Sequence, residues 1–183
     1  MSPIKINGIK LSAPLVEVSQ ACTTAGGGQS ADLYQLLAAD RINIEFLNVT
    51  AMGRNCRIAC CVAADKYHHI LHYTDGKTAD GSAFDHRTGV VTLSVYPHKS
   101  SFHLLGCLLA VFGDQGVAFY QMAASTSMLT FVVDAGAAEE MTDYFADHAD
   151  LPASHSPFRP NADYDPVARS LKTEPETVAT YVE

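Results

Sequence analysis

The first feature of this sequence that could support chemistry is a short run of small and polar residues formed by Gly26, Gly27, Gly28, Gln29 and Ser30. Successive glycines are costly inside a helix or strand, so the run predicts a loop that leads into a helix at Ser30. Such a loop exposes backbone amides near the positive end of the helix dipole, where a carboxylate or phosphate is stabilised. The run therefore indicates an anion site, with a simple lead-in to the helix as the alternative.

A second loop, which contains His98, Lys99, Ser100 and Ser101, precedes another apolar helical pattern. His98 and Lys99 provide hydrogen-bond donors for a carboxylate, or else they are solvated loop residues. Neither loop has the Gly-Lys-Ser/Thr ending of a P-loop or the spaced glycines of a dinucleotide site. A nucleotide is therefore weakly supported as the ligand of either loop.

Other reactive residue types give weaker signals. His68 and His72 stand four residues apart and share a helix face, as zinc ligands on a helix do. Asp65 and Asp75 are the nearby acidic residues, and neither completes a metal-binding pattern, so we interpret the histidines as structural or surface residues. The sequence has no nucleophile elbow, no His-Glu-x-x-His motif and no paired-carboxylate signature. We expect no catalytic residue, no metal and no cofactor.

Composition limits the class of protein and its partners. The chain has 183 residues, of which 48% are hydrophobic and 17% charged, as in globular proteins. Its formal net charge of −8 argues against a nucleic-acid partner. No stretch approaches the roughly 20 apolar residues of a membrane span, and no signal peptide is evident, so we expect a cytoplasmic protein. The sequence has five cysteines, and we expect most of them to be reduced and buried. They are Cys22, Cys56, Cys60, Cys61 and Cys107.

The elements that must position the two loops form an internal repeat, because residues 30–64 and 101–136 follow one pattern. In each copy an amphipathic helix leads into a strand, a polar break and a second apolar strand. The helical stripes and the first strands are carried by Leu33, Leu36, Leu37, Ile42, Ile44 and Phe46 in one copy and by Leu104, Leu108, Val111, Phe112, Val117 and Phe119 in the other. The order predicts strand, helix, strand, strand, helix, twice over.

This repeat divides the chain into segments. We predict a first module over residues 1–75, a connecting loop over 76–89, a second module over 90–150 and an extended C-terminal tail over 151–183. Five of the eight prolines lie in that tail, where no apolar period persists. The tail is either a mobile terminus or a segment that lies in a groove of the body or of a partner.

Two runs in the repeat, Ile42-Asn-Ile-Glu-Phe-Leu47 and Ser125-Thr-Ser-Met-Leu-Thr-Phe-Val-Val-Asp134, resemble the paired ACT domains of the regulatory region of aspartokinases. The resemblance covers roughly residues 4–149. It implies an α+β fold with two ferredoxin-like βαββαβ modules, each an antiparallel four-stranded sheet with helices on one face. It also implies that a free amino acid binds at the junction between modules.

In that family the ligand is held by the loop from the first strand to the first helix and by the start of the second strand. Carried over to this chain, the loops are residues 26–30 and 98–101, and the strand starts are Asn43 with Ile44 and Ala118 with Phe119. Amide oxygens of Asn43, Asn48 and Gln121 are candidate acceptors for the ligand's ammonium group. The chain departs from the family because the loops lack the usual Asp followed by Pro-Gly, and because Ala118 replaces the Asn. The two sites are therefore expected to differ.

The sequence thus predicts a regulatory protein that senses an amino acid or similar small zwitterion and has no catalytic domain of its own. We expect a homodimer, since unpaired sheet edges are readily covered by another copy. One alternative is an accessory subunit that docks on an aspartokinase-like or other amino-acid biosynthetic enzyme. Another is a small α+β enzyme that uses the histidine or cysteine residues.

Overall fold

The structure is a computed structural model that describes residues 4–23, 28–53, 55–74, 84–96 and 101–151. Within these ranges the strands are β1 Ile4–Lys5, β2 Gly8–Leu11, β3 Leu15–Thr23, β4 Ile44–Met52, β5 Asn55–Ala63, β6 Phe84–Tyr96, β7 Phe119–Ala124, β8 Leu129–Asp134 and β9 Ala149–Asp150. The α-helices are α1 Gly28–Ala39, α2 Tyr67–Thr74, α3 Phe102–Asp114 and α4 Ala135–His148, and a 3₁₀ turn, Ala64–Lys66, precedes α2. No helix in the described ranges is long and apolar enough to cross a membrane.

Seven strands form one antiparallel sheet in the order β4-β5-β3-β6-β8-β7, with β2 hydrogen-bonded to β6 beside this path. The two-residue strands β1 and β9 pair separately in parallel. The first half of the sheet follows the order β3-α1-β4-β5-α2-β6, and the second half follows β6-α3-β7-β8-α4. The predicted α+β class and the repeated order of elements are confirmed.

Strand β6 joins the two halves. Its residues 84–90 pair with β3, its residues 90–95 pair with β8, and its residues 93–96 pair with β2. The register against β3 shifts between Leu15 and Val16, opposite Gly89, whose φ is +71°. A glycine in this left-handed conformation is typical of a bulge that bends a strand and increases its twist. Residues 84–89 were predicted to be a connecting loop, and that part of the prediction is wrong.

The segment boundaries at residues 75, 89 and 150 stay predictions. Residues 8–11 form β2, which hydrogen-bonds within the second half of the sheet although these residues stand at the start of the chain. The two halves are thus linked both through β6 and through the N-terminal segment. Residues 75–83 lie outside the described residues, and so do residues 152–183, which make up most of the predicted tail.

The four helices cover one face of the sheet. In the first half α1 and α2 pack on β3 and β5, with Val16, Val18, Leu37, Cys60 and Ile70 all nearly inaccessible. In the second half α3 and α4 pack on the outer part of β6 and on β8 in a larger cluster. The fully buried members of that cluster include Ile9, Leu93, Val95, Leu108, Leu129, Phe131, Val133 and Phe145.

A third apolar cluster lies on the opposite face of the sheet, which none of the described helices covers and which we call the helix-free face. It contains Leu15 of β3, Phe46 of β4, Cys61 of β5, Val90 of β6 and Val132 of β8, with Tyr120 of β7 packed against it. The six strands of the main path therefore each contribute one side chain. Since β4 and β7 are at opposite ends of the strand order and still reach one cluster, the sheet curves around its helix-free face.

Two local predictions need correction. Helix α1 begins at Gly28, so Ser30 lies inside the helix and is not its N-cap. Packing of Leu33 and Leu37 on the sheet stabilises the helix, and this tertiary contribution outweighs the poor helix propensity of glycine. Cys56 is disulfide-bonded, whereas Cys60 and Cys61 are free and buried as predicted. In the strand register Cys56 lies opposite Cys22.

Candidate functional site

Strands β4 and β7 begin with equivalent irregularities. In β4 the register moves from Ile44 to Phe46 across successive residues of β5, and in β7 it moves from Phe119 to Gln121 across successive residues of β8. Each strand therefore carries one extra residue immediately after its first position. Bulges re-aim side chains and are over-represented beside functional sites. The strand starts that the sequence singled out are thus the places where both halves of the sheet deviate from regular pairing.

The bulge in β4 changes which side chains face the helices. Ile44 packs against the cluster under α1 and α2, but Phe46 packs in the cluster on the helix-free face. The predicted alternation of Ile42, Ile44 and Phe46 along one face is therefore wrong at Phe46. A period of two residues assumes an unbroken ladder, and the extra residue reverses the side on which the next residue lies.

At these strand starts three of the four predicted ligand residues are open to solvent. Asn43 and Ala118 are exposed, and Phe119 is 37% exposed while its ring makes edge contacts with Phe112 and Phe131. Ile44 is half-buried under the helices. The structure therefore leaves a ligand access to one polar position in the first half and to two apolar positions in the second half.

The helix starts are described in part. In α1 the backbone of Gly28, Gln29 and Ser30 is helical, so it belongs to the turn whose amides have no partner within the helix. Helix α3 is capped by Ser101, whose hydroxyl oxygen accepts from the Leu104 amide at 3.1 Å. One acceptor position of that hydroxyl is thus used by the helix end. Gly26, Gly27, His98, Lys99 and Ser100 lie outside the described residues.

Polar side chains connect β4 and β7 across the helix-free face. The Asn48 amide Nδ2 donates to Oε1 of Gln121 at 2.8 Å, and Nε2 of Gln121 donates to Oε1 of Glu17 at 3.0 Å. Glu17 is 4% exposed, so its carboxylate depends on such partners for stabilisation. Asn48 and Gln121 were predicted to serve a ligand's ammonium group, but in this structure they bond to each other.

The same carboxylate is linked to the second half of the sheet. Arg87 of β6 approaches Oε2 of Glu17 at 3.4 Å, and its guanidinium lies 3.5 Å from the ring centroid of Tyr120. The Tyr120 hydroxyl donates to Oδ2 of Asp134 at 2.6 Å, and this hydrogen bond is the main cause that raises the pKa of Tyr120. We call the six residues Asn48, Gln121, Glu17, Arg87, Tyr120 and Asp134 the inter-half network.

Sequence reasoning missed the centre of this network. Glu17 is the one charged residue of β3, which is a visible signal, but Arg87 lay in a segment assigned to a loop. Asp134 is the N-cap residue of α4, yet its side chain makes no cap hydrogen bond and accepts from Tyr120 instead. Pairs this far apart in the chain have no local pattern, so only the folded sheet brings them together.

Beneath α1 the structure has a small, mostly apolar cleft. It is lined by Val18, Ser19, Gln20, Leu33, Tyr34, Ile58, Cys60 and Phe84. The Tyr34 hydroxyl is buried and has no hydrogen-bond partner among the described residues, and burial raises the pKa of Tyr34 to about 12. The cleft therefore has one unused polar atom in an apolar wall.

The cysteines and histidines that could have indicated catalysis are placed unfavourably for it. Burial, with a smaller contribution from Glu17, raises the pKa of Cys60 to about 11 and that of Cys61 to about 12. Little reactive thiolate is then present near neutral pH. His68 and His72 are exposed on α2, and the described part of the chain has no cluster of three or more potential metal ligands.

Comparison with known proteins gives a match in structure alone. No family model and no curated protein matches the sequence. The ligand-free regulatory subunit of aspartate kinase from Thermus thermophilus superposes with a TM-score of 0.68 at 16% identity, covering 78% of this chain and 97% of that one. A structure of aspartokinase alpha and beta subunits gives 0.67 at 12% identity, with the same two coverages of 78% and 97%.

A complete enzyme of this group matches as well. Aspartokinase III from E. coli, in complex with lysine and aspartate, gives a TM-score of 0.60 at 13% identity over 81% of this chain and 34% of the enzyme chain. This chain therefore matches about a third of that enzyme and nearly all of a regulatory subunit. The fold is that of aspartate kinase regulatory subunits, as the two sequence runs predicted.

Proposed function

We propose that this chain, which has the fold of aspartate kinase regulatory subunits, is a regulatory protein that binds a free amino acid. The single observation that carries the proposal is the pair of equivalent bulges at the starts of β4 and β7, joined by the inter-half network. This arrangement supports two similar candidate ligand positions in one sheet, which part-buried polar contacts connect.

The chemistry of these positions suits a zwitterion. Unpartnered amides at the start of α1 attract a carboxylate, and the amide oxygen of Asn43 accepts from an ammonium group. The cleft beneath α1 has a mostly apolar lining, in which the Tyr34 hydroxyl is available for one hydrogen bond. Lysine and aspartate are bound in the E. coli aspartokinase III structure, which makes amino acids the first compounds to test.

Transmission follows from the shared network. A ligand at Asn43 and Ile44 acts on the start of β4, and Asn48 in that strand is bonded to Gln121 of β7. Because Gln121 also donates to Glu17, a shift of either edge strand changes the contacts of a buried carboxylate. The ligand regulates to the extent that it binds one arrangement of β4 and β7 more tightly than another.

Thermal unfolding in the presence of each common amino acid tests binding directly. An amino acid at 100 times its dissociation constant should stabilise the chain by about 2.7 kcal/mol. The variant Asn43→Ala should reduce this shift, whereas Asn55→Ala, an exposed asparagine at the far end of the β4–β5 hairpin, should leave it unchanged. If no amino acid stabilises the chain, the binding proposal fails.

The second half can be tested separately. Ala118→Arg places a bulky charge at the start of β7, and Ala124→Arg places the same charge at its exposed end. If both positions bind ligand, Ala118→Arg should halve the number of sites measured by calorimetry, and the Ala124→Arg control should not. Equal stoichiometry in both variants would assign binding to the first half alone.

A second candidate is an accessory subunit that docks on an amino-acid biosynthetic enzyme. It is favoured by the match to aspartokinase alpha and beta subunits, a structure that contains two kinds of subunit. A partner enzyme that shifts the unfolding transition when no amino acid does so would support this reading.

Self-association and a cytoplasmic location belong to the same proposal. Strand β4 is the end of the described sheet path, and its Leu47 and Val49 side chains are 48% and 58% exposed. An apolar edge strand of this kind is readily covered by another copy of the chain. We therefore propose a homodimer that uses β4.

A further inference from the structure

Helix α3 carries two metal-ligating side chains in contact on its outer surface. His103 and Cys107 stand four residues apart, so they lie one above the other on one face of the helix. Nε2 of His103 is 3.6 Å from Sγ of Cys107. His103 is exposed, and Cys107 is a partly exposed free thiol. Nothing in the proposed amino-acid site uses either residue.

This separation matches the edge of a tetrahedral zinc site. Zinc–sulfur bonds of about 2.3 Å and zinc–nitrogen bonds of about 2.0–2.1 Å, at the tetrahedral angle, place sulfur and nitrogen about 3.6 Å apart. In the metal-free chain the same distance accommodates a weak hydrogen bond between thiol and imidazole. The two donor atoms can therefore bind zinc with little rearrangement of the helix.

Two ligands leave a tetrahedral site half-filled. The described residues contain no group of three or more potential metal ligands, so no described side chain of the same chain completes it. A second copy of α3 related by a two-fold axis supplies the same pair, which gives two histidines and two cysteines around one ion. We propose that His103 and Cys107 form half of a zinc site that a second copy of this chain completes.

The surface around the pair suits close approach of a second α3. Gly106 lies beside the two ligands, with open space where a side chain would stand, and Ala110 is exposed one turn further on. From Phe102 to Gly113 the helix has no carboxylate, lysine or arginine, so two copies meet without like-charge repulsion. Phe102, at 87% exposed, and Leu109, at 38%, provide an apolar rim that the second copy covers.

Metal titration of the full chain, purified under argon without added thiols, tests the proposal. Zinc binding should saturate at one ion per two chains. The particle mass with zinc should be twice the particle mass in EDTA, and each Cys107 thiol should release its proton to solvent when zinc binds. Cobalt(II), used as a spectroscopic probe, should show tetrahedral d–d bands and a thiolate charge-transfer band. Saturation at one ion per chain, or an unchanged mass, would overturn the shared site.

Three variants make the test specific. Cys107→Ser should abolish the charge-transfer band and the change in mass. Gly106→Leu keeps both ligands and improves helix propensity, but its side chain fills the space needed by the second helix, so it should abolish the change in mass. His68→Gln removes an exposed histidine of α2 that also has a partner four residues away, and it should change nothing. Loss of the band in His68→Gln, or its retention in Cys107→Ser, refutes the assignment.

Discussion

Gly89 offers a direct test of how the two halves of the sheet are joined. Its φ of +71° lies in the left-handed region, and a Cβ added there would meet no atom within 4 Å. Alanine at this position is therefore strained by its backbone conformation alone, which costs about 1–2 kcal/mol in the left-handed region. For a chain of this size each kcal/mol lowers the melting temperature by about 2–4 °C, so the expected decrease is about 2–8 °C.

A matched control separates strain from the loss of glycine itself. Gly106 also has open space around its Cα, but it lies in the middle of α3. Gly106→Ala should stabilise the chain by about 0.8–1.0 kcal/mol because alanine favours helix. Both variants are compared by urea unfolding followed by circular dichroism, in EDTA so that metal does not contribute. If Gly89→Ala is as stable as the parent chain, the bulge that we assign to the centre of β6 does not need its glycine and the reasoning is refuted.

Three further outcomes are expected. Burial raises the pKa of Cys61 from 9.0 to about 12. The contribution of the protonated thiol to stability is therefore present below pH 9 and is lost as pH rises towards 12. Between those limits the free energy of unfolding, measured with urea, should fall less steeply with pH in Cys61→Ala than in the parent chain, by about 1.4 kcal/mol per pH unit. Identical slopes in the two proteins would contradict the buried thiol. A double-mutant cycle of Asn48→Ala and Gln121→Ala should give a coupling energy of about 0.5–1.5 kcal/mol, and strict additivity would show that their hydrogen bond does not form in solution. Val49→Lys should dissociate the proposed dimer, which light scattering detects as a lower particle mass. Thr50→Lys, at an exposed residue on the other face of β4, should dissociate the dimer less, and equal effects of the two variants would place the interface elsewhere.

Much of the fold could be predicted from the spacing of apolar residues, because that spacing indicates which side of a helix or strand is buried. Leu129, Phe131 and Val133 alternate in the sequence, and all three are fully buried on the helix face of β8. The stripe that begins with Leu104 and Leu108 is likewise the buried face of α3. Regular elements repeat the same local geometry, so their burial pattern appears directly in the order of residues.

The departures from regularity could not be predicted in this way. Gly89 looked like the end of a glycine-rich loop, but in the structure it is a bulge within a strand of 13 residues. Phe46 continued an alternating pattern and still lies on the opposite face from Ile44. In each case one inserted residue changes the pairing with a neighbouring strand, and that pairing depends on residues far away in the chain.

These irregularities explain how a ligand position in one half can affect the other. The bulges at the starts of β4 and β7 turn Phe46 and Gln121 towards the helix-free face, where Phe46 joins the shared cluster and Gln121 bonds to Asn48. The extra residue of β7, Tyr120, packs against the same cluster. The residues beside the bulges, Asn43 and Ala118, stay exposed to solvent. A ligand that contacts either strand start therefore acts next to a side chain of the shared cluster. Regular strands continuing from Ile44 and Phe119 would leave Phe46 and Gln121 on the helix face, and the hydrogen bond between Asn48 and Gln121 would then not link the two halves.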